Sequence, residues 1–163
     1  WRWDSTRTTF TTVDYIYSLF FHTSSIMFRN LKNQRYIHND QILQGDMAIV
    51  LSVINNKKVH FIEEVMSRYR IHLDGITNST IHMSKLYTYT SLLIIFEKFD
   101  IHSNRKFKEV VWLKKQIIKS ILYINNNRNS FAKLLIQGYY YLIKIILKLV
   151  VKLFYNEFWS NKK

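Results

Sequence analysis

The feature that most constrains this chain is residues 134–154, "LLIQGYYYLIKIILKLVVKLF", an apolar stretch in which lysine recurs at a fixed interval. As a helix rising ~1.5 Å per residue it is long enough to cross a hydrocarbon core of ~30 Å. Three lysines speak against a simple span. Lys144, Lys148 and Lys152 fall four residues apart, which gathers them into one slowly rotating stripe, while Ile145, Ile146, Leu149, Val150, Leu153 and Phe154 cover the rest of the surface. Two placements stay open. The helix can lie in a membrane interface, with its lysines towards anionic headgroups and Tyr139, Tyr140, Tyr141, Phe158 and Trp159 at the polar boundary. It can also pack on the body of the protein and leave a solvated lysine face.

Charge points the same way. The net charge is +13, and residues 104–163 hold 13 Lys and Arg against Glu109 and Glu157, so +11 of it lies there. The preceding 103 residues carry 11 basic and 9 acidic side chains, or +2. Such asymmetry marks an acidic partner surface, either anionic lipid or nucleic acid. The strongly apolar faces of the tail, and its lack of a helix-turn-helix or RNA-binding signature, do not favour a nucleic-acid-binding helical module. The 163 residues allow one ordinary core at most, and 48% hydrophobic residues are the composition of a folded chain. The absence of cysteine excludes disulfides and thiolate metal sites and fits a reducing, cytoplasmic compartment. With Trp1 first and no signal-like apolar segment behind it, the chain reads as though it begins partway through a protein.

Along the chain, Thr11 followed three residues later by Asp14 has the form of a capping box, and it predicts a short helix over residues 15–20. "FFHTSSIMF", residues 20–28, suits a buried strand, and residues 29–39 a loop. Gln44, Gly45 and Asp46 precede "MAIVLSVI", which places Asp46 at or near a helix N-terminus; Asn55, Asn56, Lys57 and Lys58 end that helix. "VHFIE" and "VMSRYRI" read as two short strands or one bent one. Beyond Gly75 the pattern turns helical, over roughly residues 79–98, 105–125 and 130–157, with polar breaks at residues 102–104 and 125–129. The chain thus divides near residue 78 into a mixed α/β part, 1–78, and an all-helical basic part, 79–163.

Taken in order, "FFHTSSIMFRN" and "QGDMAIVLSVINNKKVHFIEEVMSRYRIHLDGI" resemble the C-terminal, acceptor-side half of a bacterial family 2 glycosyltransferase of the GT-A type. In that family a strand of the form hTSs-x-x-FR is followed by a GD or ED opening a helix, then by a strand ending in YR-x-H-x-x-G. The resemblance covers about residues 9–78. It implies part of a GT-A-like mixed sheet with flanking helices, followed by the all-α basic tail. It also implies transfer of a sugar, with inversion, from a nucleotide-sugar donor to a glycan or lipid-linked acceptor in cell-surface polysaccharide synthesis, on the inner face of the plasma membrane.

The resemblance assigns Asp46 as the catalytic base, which would take the proton of the acceptor hydroxyl as that oxygen attacks the anomeric carbon. Read from the residues alone, Asp46 is better explained as a helix cap, a preference that only the resemblance reverses. His72 would lie near the donor diphosphate and help hold a divalent ion, Mn²⁺ or Mg²⁺. Arg70, two residues earlier and on the same face of a regular strand, would bind phosphate oxygens. The plain alternative pairs Arg70 with Glu63 or Glu64 and lets His72 end a strand. His22, Thr23 and Ser24 would line the acceptor or sugar pocket, although strand hydroxyls are often satisfied internally. No spacing among His38, His60, His82 and His102 suggests a metal site.

A GT-A enzyme also needs a nucleotide-binding half with an Asp-x-Asp element, and this chain contains no Asp-x-Asp. Two other readings therefore stand beside the transferase: a non-catalytic transferase remnant or partner, and the basic nucleic-acid module. The isolated chain is expected to show no binding of sugar nucleotide and no transfer unaided. Calorimetry with a UDP-sugar and Mn²⁺ checks this, and micromolar binding would overturn it.

Overall fold

The computed structural model describes residues 8–18, 25–29, 35–62, 64, 85–126 and 130–160. Five helices occur among them: α1 (Thr12–Ser18), α2 (Gly45–Ile54), α3 (Lys85–His102), α4 (Lys108–Asn126) and α5 (Ser130–Ser160). Two three-residue strands, β1 (Thr9–Thr11) and β2 (Lys58–His60), pair antiparallel with Phe10 opposite Val59. The expectation of a GT-A-like mixed sheet is thereby corrected: the described body is helical, with one two-stranded antiparallel ribbon. The physical reason is that a short run of aromatic and β-branched residues does not by itself separate strand from buried helix or irregular segment. In the expected strand over residues 20–28, the described part, residues 25–28, is not extended in a sheet, and Met27 and Phe28 are exposed at 71% and 46%. The rest of that strand and the whole "VMSRYRI" segment lie outside the described residues.

The helix starts follow from local chemistry. At α1 the N–H and O–H of Thr11 both donate to Asp14 Oδ2 at 2.7 Å, and the Asp14 N–H donates back to Thr11 Oγ1 at 3.3 Å. This is the reciprocal capping box expected from the sequence, and it satisfies donors that a helix N-terminus otherwise leaves unpaired. The α2 helix stops at Ile54 as expected, with Asn56 in the left-handed region at φ 61°. Between α3 and α4 the chain turns through Asn104 and Arg105, at φ 52° and 58°. There the Arg105 N–H reaches back to the Asp100 carbonyl at 2.7 Å, closing the end of α3.

Packing centres on α4. Val110, Val111, Leu113, Ile117 and Ile118 are buried at the three- and four-residue spacing of a helical face. Against this face lie Ile95, Phe96 and Phe99 of α3, Ile143, Leu147 and Val151 of α5, and the short α1. Phe99 also stacks on Phe107, with ring centroids 5.8 Å apart. The same apolar cluster includes Val13, Tyr15 and Ile16 of α1 and Met47, Val50, Leu51 and Ile54 of α2. One core thus takes residues from both sides of position 78.

Buried hydroxyls clasp the elements that the apolar residues bring together. Thr12 Oγ1 donates to the Ile54 carbonyl at 2.6 Å, tying the start of α1 to the end of α2. Ser91 of α3 accepts from the Leu43 N–H and donates to Gln44 Oε1, both at 2.7 Å, which holds the segment entering α2 against α3. Ser52 accepts from the Ile37 N–H at 2.8 Å while donating to the Ala48 carbonyl, and so anchors the loop before α2. Each such bond contributes about 0.5–1.5 kcal/mol net, and leaving its buried partner unmatched costs more than the bond gains.

A cation is also drawn into this packing. Half-buried Lys114 of α4 donates from Nζ to the Tyr17 carbonyl at 2.8 Å, in the last turn of α1. A cation suits a helix C-terminus, yet burial first and the neighbouring Lys144 second lower its pKa from 10.5 to about 8. The unfolded chain therefore binds more protons than the folded one between those values, and stability attributable to this group rises with pH across that window. Replacing the lysine by an apolar side chain removes the charge penalty, so Lys114→Met should gain most over the parent below pH 8. That gain should shrink as pH climbs towards 10, a trend that paired thermal melts across the range will measure; a constant difference would contradict it.

Candidate functional site

Of the expected site residues, Asp46 lies in the described structure, while His22, Thr23, Ser24, Arg70 and His72 lie outside it. Asp46 is the second residue of α2, one position inside the helix that Gln44 opens. The Gln44 side chain makes no cap bond to its own helix. It is turned instead to α3, where it accepts from Ser91 and its Nε2 donates to the Thr88 carbonyl at 3.4 Å. Capping falls to Asp46, whose Oδ1 accepts the Met47 N–H at 2.8 Å. A carboxylate in the first turn is further favoured by the positive end of the helix dipole.

The residue before it is Gly45, around which a Cβ would meet no neighbour within 4 Å, so this end of α2 is open. Asp46 itself is exposed, whereas the next two residues, Met47 and Ala48, are buried. The helix thus plugs its apolar side into the core and leaves the carboxylate at the surface of its first turn.

The neighbour that sequence reasoning did not identify is Tyr15. It lies in α1, one residue beyond the capping-box Asp14 and in a different helix from Asp46, and is 3% exposed. Burial first, and the charge of Asp46 second, push its phenol well above the ordinary tyrosine value. Tyr15 therefore keeps its proton, within the field of the Asp46 carboxylate. No sequence spacing signals this influence, because residues 15 and 46 come within electrostatic range only through the packing of α1 on α2. Chemically the arrangement offers an exposed carboxylate at a helix end, with a buried, neutral phenol within its field.

A divalent ion would need several oxygen or nitrogen ligands converging. Among the described residues no group of three or more His, Cys, Asp or Glu side chains is placed to hold one. The residue expected to help hold the ion, His72, lies outside the described residues. A cleft of about 530 Å³ opens between the end of α3 and the start of α4, lined by Asp100, Arg105, Lys108, Glu109 and Trp112 among others. Neither Asp46 nor Tyr15 lines it.

The Tyr15 phenol gives a direct test of the Asp46 field. In Asp46→Asn, tyrosinate absorbance during alkaline titration should show Tyr15 ionising earlier than in the parent but still above an exposed tyrosine, because burial is the larger cause. Tyr15→Phe identifies which part of the curve belongs to this residue. An unchanged titration in Asp46→Asn would show that the two groups do not interact. Compared with known proteins, the chain matches no family model, no curated protein and no solved structure.

Proposed function

We propose that this chain supplies the acceptor side of a sugar transferase, with Asp46 as the base. The observation that carries the reading is the exposed Asp46 carboxylate fixed in the first turn of α2, with β2 following directly in the chain. A Gly-Asp opening a helix is what the resemblance to family 2 glycosyltransferases calls for at this point, and the segment ending in YR-x-H that should follow lies outside the described residues. In the reaction, the acceptor hydroxyl proton passes to Asp46 while its oxygen forms a bond to the anomeric carbon. The bond from that carbon to the nucleoside diphosphate breaks, and the diphosphate leaves with the electron pair. A sugar hydroxyl is a poor nucleophile, so a positioned carboxylate contributes about 10²–10⁴-fold to such a step.

The helical body favours a second reading, in which the chain is a non-catalytic partner of a transferase and Asp46 is a capping residue alone. One experiment separates the two. The full chain is combined with a separately expressed family 2 nucleotide-binding half, a UDP-sugar, Mn²⁺ and lipid-linked glycan acceptors, and UDP release is followed. The transferase reading expects release that depends on this chain and falls at least about 100-fold in Asp46→Ala, with folding checked by circular dichroism. Release that needs the chain but survives Asp46→Ala identifies the partner, and no dependence on the chain removes both readings.

A further inference from the structure

The α5 helix presents three distinct surfaces along one length. Ile143, Leu147 and Val151, four residues apart, are buried against the body at 8% exposure or less. Lys144, Lys148 and Lys152 each lie one position further round and are exposed. On the outward side a second apolar stripe runs through Leu135, Leu142, Ile145, Leu149 and Leu153, each 55–61% exposed, with Ile146 beside them at 39%. At ~1.5 Å per residue this stripe is ~27 Å long. Large apolar side chains left contiguous on a surface at this scale mark a place where something docks.

We infer that the outward stripe of α5 seats in the interface of an anionic lipid membrane, with the helix lying in the membrane plane. Charge selects this occupant. Residues 110–156 contain no Asp or Glu, and the lysine row runs beside the apolar stripe for its last three turns. Long lysine stems lie along apolar surface and carry their ammonium groups sideways to headgroup phosphates. Lys144 lies over the Tyr140 ring at 5.7 Å, and exposed Tyr139 and Tyr141 add amphipathic rings at the start of the row. A second copy of the chain is a poor occupant, because face-to-face packing would bring two lysine rows together on chains of +13 each.

A transverse span is equally poor. Residues Ala132–Leu153 are long and apolar enough for one, with a mean hydropathy of 1.7. Yet Ile143, Leu147 and Val151 hold this same length against α4, whose Lys115 and Glu97 of α3 form an ion pair at 2.8 Å. Crossing the bilayer would mean either tearing that seam open or drawing charged neighbours into hydrocarbon. Lying flat keeps the seam and covers the outward stripe.

Flotation of the full chain with vesicles tests the assignment. The parent should float with phosphatidylcholine mixed with phosphatidylglycerol at low salt, and less as salt is added. Lys144→Gln, Lys148→Gln and Lys152→Gln together should weaken partitioning on the order of 100-fold. Leu142→Gln with Leu149→Gln should abolish flotation while leaving the thermal midpoint unchanged, since both side chains are exposed in the fold. Failure of the parent to float, or equal flotation with pure phosphatidylcholine, would overturn the inference. So would a dimer in sedimentation that the two leucine substitutions dissociate without any effect on vesicles.

Discussion

Everything described in this protein depends on covering the apolar face of α4. A helix whose buried residues recur at three and four positions needs neighbours along its whole length, and most helical stability in proteins comes from that packing rather than from intrinsic propensity. Here α3, α5 and the seven residues of α1 provide it. The core they enclose extends to α2 through Val13, Tyr15 and Ile16. Serines and threonines then set the details: Ser91, Ser52 and Thr12 each satisfy a backbone group of another segment, which fixes how α2 enters and leaves the core. The placement of Asp46 is a product of those clasps as much as of its own capping bond.

Local signals in the sequence were legible where one short-range rule decides. The Thr11 and Asp14 box, the stop of α2 at its Asn and Lys cluster, and three long helices, the first two parted by the polar break after His102, all appear among the described residues. The helical segments differ from expectation only at their ends, as with α3, which is described from Lys85 and runs on to His102. What was not legible depends on contacts across the chain. Phe28 and Met27 have strand-like neighbours in sequence, but among the described residues no partner strand covers them, and they are exposed. The residue spacing places Lys144, Lys148 and Lys152 on one stripe, yet it cannot say that Ile143, Leu147 and Val151 face the body while Ile145 and Leu149 face away. The tertiary packing makes that distinction.

The candidate site shows the same division. That Asp46 sits at a helix start follows from the Gly-Asp step before an apolar run; that it faces outward and raises the pKa of a buried tyrosine follows only from α1 packing beside α2. The capping bond and the proposed catalytic role are compatible, since a carboxylate has about four acceptor sites and one helix N–H does not exhaust them. The proposed chemistry and the proposed lipid contact use opposite properties of the molecule. One relies on a single acidic group in the nearly neutral first part of the chain, the other on a long basic and apolar helix. Together they suit an acceptor that is itself anchored in lipid.

The three-surfaced α5 has a consequence for how this chain can vary. Each added or removed residue turns everything beyond it by about 100°. A single-residue deletion near Gly138 would therefore bring Lys144, Lys148 and Lys152 round to where Ile143, Leu147 and Val151 now pack, and a single-residue insertion would put the same lysines where Ile145, Leu149 and Leu153 now face outward. Between Leu135 and Leu153, then, this helix can exchange side chains within each face far more freely than it can change length. Its phase, more than its hydrophobicity, is what must be inherited intact.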